Sequence, residues 1–134
     1  IRKKQINLLL KELISNEDNL PLILCCDLNG NPIQNKNGYD PLCYDSIVNK
    51  DNGIGYKSIY RLTSDNDTEP DYTTWKYRKH GTDKHTIDYI FVNDENRFNV
   101  VAVLQIPNVR EDELDNIKAL IPNWNYPSDH FSIM

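Results

Sequence analysis

Asp27 and Asn29 close a short apolar run, Leu20 to Cys26, and stand directly before Gly30, Asn31 and Pro32. A carboxylate can orient or deprotonate a water, and an amide can donate to a phosphoryl oxygen. Two positions apart on an extended chain, the two side chains point the same way. The same residues ahead of Gly and Pro also suit an ordinary turn. Asp88 is flanked by Ile87, Tyr89, Ile90 and Phe91. A carboxylate in an apolar strand needs a hydrogen-bond partner, because its desolvation is otherwise costly. A salt bridge or a backbone cap would meet that need, and so would a histidine. Asp129 and His130 lie between Pro127 and Phe131. A histidine beside a carboxylate can bind phosphate or pass a proton, or it can simply occupy a loop. Together these residues hold the right atoms for phosphoester hydrolysis. Asp88 would fix the tautomer of His130, and a protonated His130 would stabilise a phosphoryl oxygen.

A basic run, Lys76, Arg78, Lys79, His80, Lys84 and His85, lies between the two acidic positions. Lys76 and Arg78 share one face of a strand. The Arg78 fork suits phosphate better than a lysine point charge, so Arg78 is expected to contact ligand. Lys79 and Lys84 suit a solvated face equally well. Tyr72 and Trp75 could stack on a base, but core packing is the simpler role. Glu111, Asp112, Glu113 and Asp115 read as a solvated acidic face rather than a metal site.

The elements that must carry these residues follow from periodicity. Residues 2 to 15 form an amphipathic helix with Ile6, Leu9, Leu10, Leu13 and Ile14 on one side. The run from Leu20 to Cys26 predicts a strand buried on both faces. Asn35 to Gly38 is a turn, and Asp40 is placed to cap a helix running to about Asn49. Asp51 to Gly55 is a loop, and Tyr56 to Leu62 suits a short strand or a helical turn. Tyr72 to Tyr77 and Thr86 to Val92 read as the two strands of a hairpin, with the polar stretch Lys79 to Lys84 as its turn. Val100 to Gln105 and Phe131 to Met134 are expected to be strands, and Arg110 to Asn116 at most a helical turn or two.

A chain of 134 residues makes one domain. With 39% hydrophobic and 26% charged residues it is globular rather than disordered. The net charge of −5 argues against a whole-surface grip on nucleic acid. No apolar run reaches the roughly 20 residues of a membrane span, and the basic first helix lacks the cleavage site of a signal peptide. The absence of Met at position 1 and the ending in mid-strand suggest a truncated chain. Cys25, Cys26 and Cys43 lack zinc-like spacing and read as reduced, buried thiols of an intracellular protein, cytoplasmic or mitochondrial.

Three stretches in this order resemble the endonuclease/exonuclease/phosphatase superfamily. Cys26-Asp27-Leu28-Asn29 resembles its Gly-Asp-Phe/Leu-Asn motif, with Cys26 where the family usually has Gly. Thr86-Ile87-Asp88-Tyr89-Ile90-Phe91 resembles its hydrophobic-Asp-Tyr-Ile strand, and Ser128-Asp129-His130 its Ser-Asp-His motif. Glu69-Pro70 followed by Tyr72-Thr73-Thr74-Trp75-Lys76 narrows the likeness to the deadenylase-related branch. The resemblance implies an α/β fold: the C-terminal half of a two-sheet β-sandwich flanked by helices, four layers in the whole family, here mainly one mixed sheet with helices. Residues 1–134 would then be a partial domain, without the N-terminal half that carries the family's principal metal-binding Glu.

The resemblance further implies a magnesium-dependent phosphohydrolase, with Mn2+ as a substitute. Asp27 would position the attacking water and Asn29 would stabilise the transition state. His130 would contact the scissile phosphate and Asp88 would orient His130. Asp129 would lie near the metal through water. Arg78, with Lys76 beside it, would face the substrate's phosphates, which favours removal of the 2′-phosphate of NADP(H) over shortening of an RNA 3′ end. The parent would be a monomer that engages no membrane, and the 134-residue piece alone would be inactive. The alternatives are a poly(A)-degrading 3′ exoribonuclease and a non-catalytic binding module.

Overall fold

Ile6, Leu9, Leu10 and Leu13 recur at helical spacing and line one side of α1, Arg2–Ile14. Ile6 is buried, whereas Ile14 is 69% exposed, so the apolar face is one residue narrower than its pattern suggests. The computed structural model describes residues 2–15, 20–32, 41–51, 53–78, 81–107, 122–124 and 126–134, with only the backbone at 77 and 78. The turn at Asn35–Gly38, the cap at Asp40, the stretch Arg110–Asn116 and the acidic cluster Glu111, Asp112, Glu113 and Asp115 lie outside those residues.

The chain continues through β1 (Ile23–Asp27), α2 (Leu42–Val48), β2 (Lys57–Ser58), α3 (Ile59–Thr63), β3 (Thr74–Arg78), β4 (Gly81–His85) and β5 (Asp88–Val92). Tyr56 to Leu62 thus supplies both of its expected forms, a short strand and then a helical turn. The architecture is α/β. The expected single mixed sheet is instead two antiparallel sheets among the described residues, one ordered β1-β5-β2 and one pairing β3 with β4. None of the described helices is long and apolar enough to cross a membrane.

Alternation along β5 divides the core. Tyr89 and Phe91 face α1 and α2 and pack with Ile6, Cys43, Tyr44 and Ile47. Ile90 and Val92 face the other way, where Ile59, Tyr60, Phe98, Val100, Val103 and Ile133 cover them. That cover stops at β5. On β1, the neighbouring edge strand, Ile23 is 56% exposed and Cys25 is exposed, so the strand is not buried on both faces. Cys26 is half-buried, and only Cys43 is a fully buried thiol. The loop after α2 depends on Gly53, whose missing side chain lets the backbone close on the helix. A Cβ there would meet the Ser46 carbonyl oxygen at 2.4 Å.

The expected hairpin forms differently. Residues 81–84, assigned to its turn, form with His85 the strand β4, which pairs with β3 from Thr74↔His85 to Arg78↔Gly81. The strand of Asp88 belongs to the other sheet, antiparallel to β1 from Ile23↔Val92 to Asp27↔Asp88. Backbone pairing needs no apolar side chains, so a polar segment can form a strand that periodicity overlooks. The change of sheet is fixed by side-chain acceptors: Asn31 Oδ1 takes the Thr86 N–H at 3.0 Å, and Thr73 Oγ1 takes the Ile87 N–H at 3.0 Å. Residues 100–105 and 131–134 are not strands. They run alongside each other as irregular chain, with Leu104 N–H donating to the Met134 carbonyl at 2.8 Å.

Candidate functional site

Antiparallel pairing of β1 and β5 puts Asp27 directly opposite Asp88 at the end of the ladder. Residues so paired present their side chains on the same face. His130 reaches this point from the other end of the chain. The Asp129 carbonyl accepts from Trp75 N–H at 2.9 Å and from the Thr74 hydroxyl at 2.8 Å. Phe131 N–H donates to the Thr73 carbonyl at 2.8 Å, and Thr74 bridges His130. Held in this way, His130 Nδ1 lies 3.1 Å from each oxygen of Asp88. One ligand atom from each of Asp27, Asp88 and His130 falls within 4.8 Å of the others. These three predicted residues therefore meet, although they lie far apart in the sequence.

Asn29 arrives by another route than the one expected. The chain leaves the extended conformation after Asp27, and Asn29 has φ 47°, in the left-handed region that Asn tolerates. Asp27 Oδ1 accepts the Asn29 N–H at 2.7 Å, an Asx turn that fixes the carboxylate. Arg2 pins the loop from the first helix, donating from Nη1 to the Asn29 carbonyl at 3.0 Å. Asn29 stays beside Asp27 through this turn rather than by strand alternation. Cys26, which stands at the family's usual Gly position, packs against the first core. Burial, and then the charges of Cys25, Asp27 and Asp88, push its thiol up to about 12. It remains a protonated thiol and no nucleophile.

The basic run separates into different roles. Lys76 Nζ pairs with Asp129 Oδ2 at 3.2 Å, so both residues have a partner other than substrate or metal. Burial pulls the Asp129 carboxyl upward, but the hydrogen bond and charge of Lys76 outweigh it and hold the group below the usual range. Lys84 lies over the rings of Trp75, at 4.1 Å, and Tyr72, at 5.1 Å. Trp75 is 2% exposed and packs with Tyr72 and Phe131, so these aromatics are core rather than a stacking platform. His85 is buried, and burial followed by the charge of Lys76 lowers its pKa against the pull of Asp83. The Arg78 side chain and residues Lys79 and His80 lie outside the described residues.

A cavity of about 540 Å3 opens near the same stretch, lined by Glu69, Arg61, Tyr44, Lys84, His85 and Thr86 among others, but not by Asp27, Asp88 or His130. Its polar groups bond chiefly to one another. Glu69 accepts from the Tyr44 hydroxyl at 2.8 Å and the Ser58 hydroxyl at 2.9 Å, Arg61 pairs with Asp67, and Asn31 Nδ2 meets His85 Nδ1 at 3.2 Å. Among the described residues, the Asp27–Asp88–His130 cluster brings an imidazole within hydrogen-bonding distance of a carboxylate, with a second carboxylate beside it.

Two residues near these sites stand in the stretch that narrows the resemblance, but their partners are not legible from spacing. Thr73, completely buried, bonds Asp88, and Glu69 organises the cavity floor. Spacing could not link Thr73 to a partner 15 positions away.

No protein-family model matches the chain. Among curated proteins, it is 34% identical to nocturnin of Xenopus laevis over 124 residues, 92% of this chain and 28% of that protein. It is 34% identical to nocturnin of Homo sapiens over 116 residues, 86% of this chain and 24% of that protein. With nocturnin of Drosophila melanogaster it shares 33% identity, covering 85% of this chain and 19% of that protein. The chain thus spans about a quarter of the length of the vertebrate relatives it matches, within their C-terminal half.

Proposed function

The chain belongs to the endonuclease/exonuclease/phosphatase superfamily, and on that premise we propose that it carries the acid–base half of a phosphoester hydrolase acting on a nucleotide such as NADP(H). The observation that supports this reading most is the contact of His130 Nδ1 with Asp88, 3.1 Å long, beside the carboxylate of Asp27. A carboxylate accepts and cannot donate, so the neutral imidazole must carry its proton on Nδ1 and leave Nε2 free. Protonated, Nε2 donates to a phosphoryl oxygen as charge develops there. Asp27, braced by its Asx turn, takes the proton of the attacking water or holds that water in line. Asn29 donates to the same phosphoryl group. Arg78 contacts a substrate phosphate, and Lys76, tied to Asp129, steadies the Ser128–His130 segment.

Two carboxylates and an imidazole within 4.8 Å form a donor set that suits a hard divalent cation such as Mg2+ or Mn2+. Asp27 would supply an oxygen beside the water it holds, with Asp129 acting through water, while Asp88 stays with His130. Such a cation supplies Lewis-acid polarisation of a phosphoryl oxygen. His130 is already committed to Asp88, so this set is open on one side. We expect the 134-residue chain alone to show no turnover for want of a further carboxylate; metal-dependent phosphate release by that chain would refute this expectation.

The test uses the full-length gene product. Phosphate release from NADPH is measured beside shortening of poly(A) RNA, each with and without added Mg2+. Release of one phosphate per NADPH supports the reading, and RNA shortening alone moves the substrate to an RNA 3′ end. Activity on neither leaves the non-catalytic binding module in its place. An Arg78→Ala change that leaves NADPH turnover intact removes Arg78 from the phosphate contact.

A further inference from the structure

Thr73 is completely buried, and its side-chain oxygen makes three hydrogen bonds. It accepts the N–H of Ile87 and the N–H of Asp88, each at 3.0 Å. It then lies 2.8 Å from Asp88 Oδ2. A hydroxyl oxygen has two acceptor sites and one proton. With both acceptor sites filled by backbone N–H groups, the proton has a single direction left, toward the Asp88 carboxylate. The hydroxyl rotor is locked by its own bonds, and the lock transmits a direction to the carboxylate.

The backbone of Thr73 holds the other partner. Its carbonyl accepts from Phe131 N–H at 2.8 Å, and its N–H donates to the His85 carbonyl at 2.8 Å. The next residue, Thr74, bridges His130. One buried residue therefore touches both sides of the carboxylate–imidazole pair: Asp88 through the side chain, and the chain bearing His130 through the backbone. It also joins the two sheets, since β3 and β5 belong to different ones.

We propose that Thr73 is the positioning residue of the Asp88–His130 pair, setting which imidazole nitrogen carries the proton. The mechanism is indirect. Thr73 touches no reacting atom, and it holds Asp88 Oδ2 where the carboxylate meets Nδ1. Without the hydroxyl, Asp88 loses its fixed donor and can turn away from the ring. The bias toward the Nδ1–H tautomer then falls, and Nε2 is no longer reliably free for substrate. The consequence for rate rests on the phosphohydrolase reading above, whereas the consequence for the tautomer does not.

The test is made on the full-length gene product, with 15N-labelled histidine observed at about pH 9, above the ordinary histidine range. In the unmodified protein His130 should be almost entirely the Nδ1–H tautomer. Thr73→Val should convert it to a mixture, and Thr73→Ser, which restores the hydroxyl, should return it. Under the hydrolase reading, Thr73→Val also lowers kcat by about 10- to 100-fold at nearly constant KM, the usual range for a residue supporting a reacting group. A folded Thr73→Val protein that keeps the Nδ1–H tautomer overturns the proposal, whatever its activity. So does a Thr73→Ser protein that loses it. Should Thr73→Val not fold, the unmodified protein still decides. A locked hydroxyl proton must exchange slowly with water and show proximity to the Asp88 amide, and a rapidly exchanging one overturns the proposal. Absence of hydrolysis in the unmodified protein counts against the proposed function and leaves the tautomer result standing.

Discussion

Asp88 and Glu69 stand on either side of the same threonine-bearing stretch, and both are partly buried carboxylates that accept hydroxyl protons. Asp88 takes one from Thr73, and Glu69 takes two, from Tyr44 and Ser58. The difference lies in the remaining partner. Beside Asp88 is an imidazole, whose two ring nitrogens can each carry or accept a proton. Among the described residues, the groups bonded to Glu69 are the Tyr44 and Ser58 hydroxyls, and the guanidinium of Arg61 bonds the Tyr44 hydroxyl. Burial, and then the charge of Glu69, push the Tyr44 hydroxyl further up from a range already above neutral. The hydroxyl protons that Glu69 accepts are therefore held by their own oxygens. A buried carboxylate is therefore chemical or structural according to whether its neighbour can exchange a proton, not according to its own burial.

The sharpest way to break this comparison is to neutralise each carboxylate in turn. Asp88→Asn keeps an acceptor for the Thr73 hydroxyl, but its amide nitrogen can present a donor to a histidine that needs an acceptor. We expect hydrolysis by the full-length gene product to fall about 10²- to 10⁴-fold, the range for loss of a positioned acid or base. The melting temperature should move little. Glu69→Gln should leave the rate within a few-fold. Equal losses of rate from the two changes would erase the distinction.

Glu69→Ala should act on stability instead. It leaves the Tyr44 and Ser58 hydroxyls without their acceptor, at a cost of roughly 1–3 kcal/mol by urea unfolding. The pH dependence carries the same signature. Burial raises the Glu69 carboxyl against the lowering effect of its hydroxyl donors and of Arg61. A raised folded value means the folded state binds the proton more tightly than the unfolded one, so stability falls as pH rises from the ordinary glutamate range through the folded value. Glu69→Gln should flatten that part of the urea-midpoint profile. An unchanged slope would show that Glu69 is not the titrating group.

The sequence made the site residues more legible than the frame that joins them. Asp88 was conspicuous because a carboxylate among Ile87, Tyr89, Ile90 and Phe91 requires a partner, and His130 was the nearest match in chemistry. The strand containing Asp88 was also legible, since the run of β-branched and aromatic residues Tyr89–Val92 marks it. Its pairing was not. The polar segment Gly81–His85 pairs through its backbone without an apolar face, so no apolar period announced it. The exposure of Ile23 and Cys25 was hidden for a related reason. A strand's composition records that a face can be buried, and not whether anything covers it. Thr73 was legible only as part of a motif, and its bond to Asp88 was not, because hydrogen bonding by a buried hydroxyl depends on three-dimensional register, which spacing does not encode.

The smallest expected effect concerns the outer rim of the pair. Lys76 Nζ and Asp129 Oδ2 are 3.2 Å apart, with the two side chains 22% and 37% exposed. Solvent screens such a pair, so Lys76→Met should cost no more than about 1 kcal/mol at neutral pH. Its pH dependence should run opposite to that of Glu69. The Asp129 carboxyl is held low in the folded state by Lys76, against the upward pull of burial. Stability from this pair is present above the ordinary aspartate range and lost as pH falls through the lower folded value. The deficit of the Lys76→Met protein should therefore be visible at neutral pH and close in acid, where Asp129 is protonated in both proteins. If Lys76 chiefly contacts substrate, the same change should raise KM and leave the stability profile alone. A rise in KM without the acid-sensitive stability difference would return Lys76 to the substrate. The stability difference with an unchanged KM would keep it with Asp129, as a brace for the segment that delivers His130.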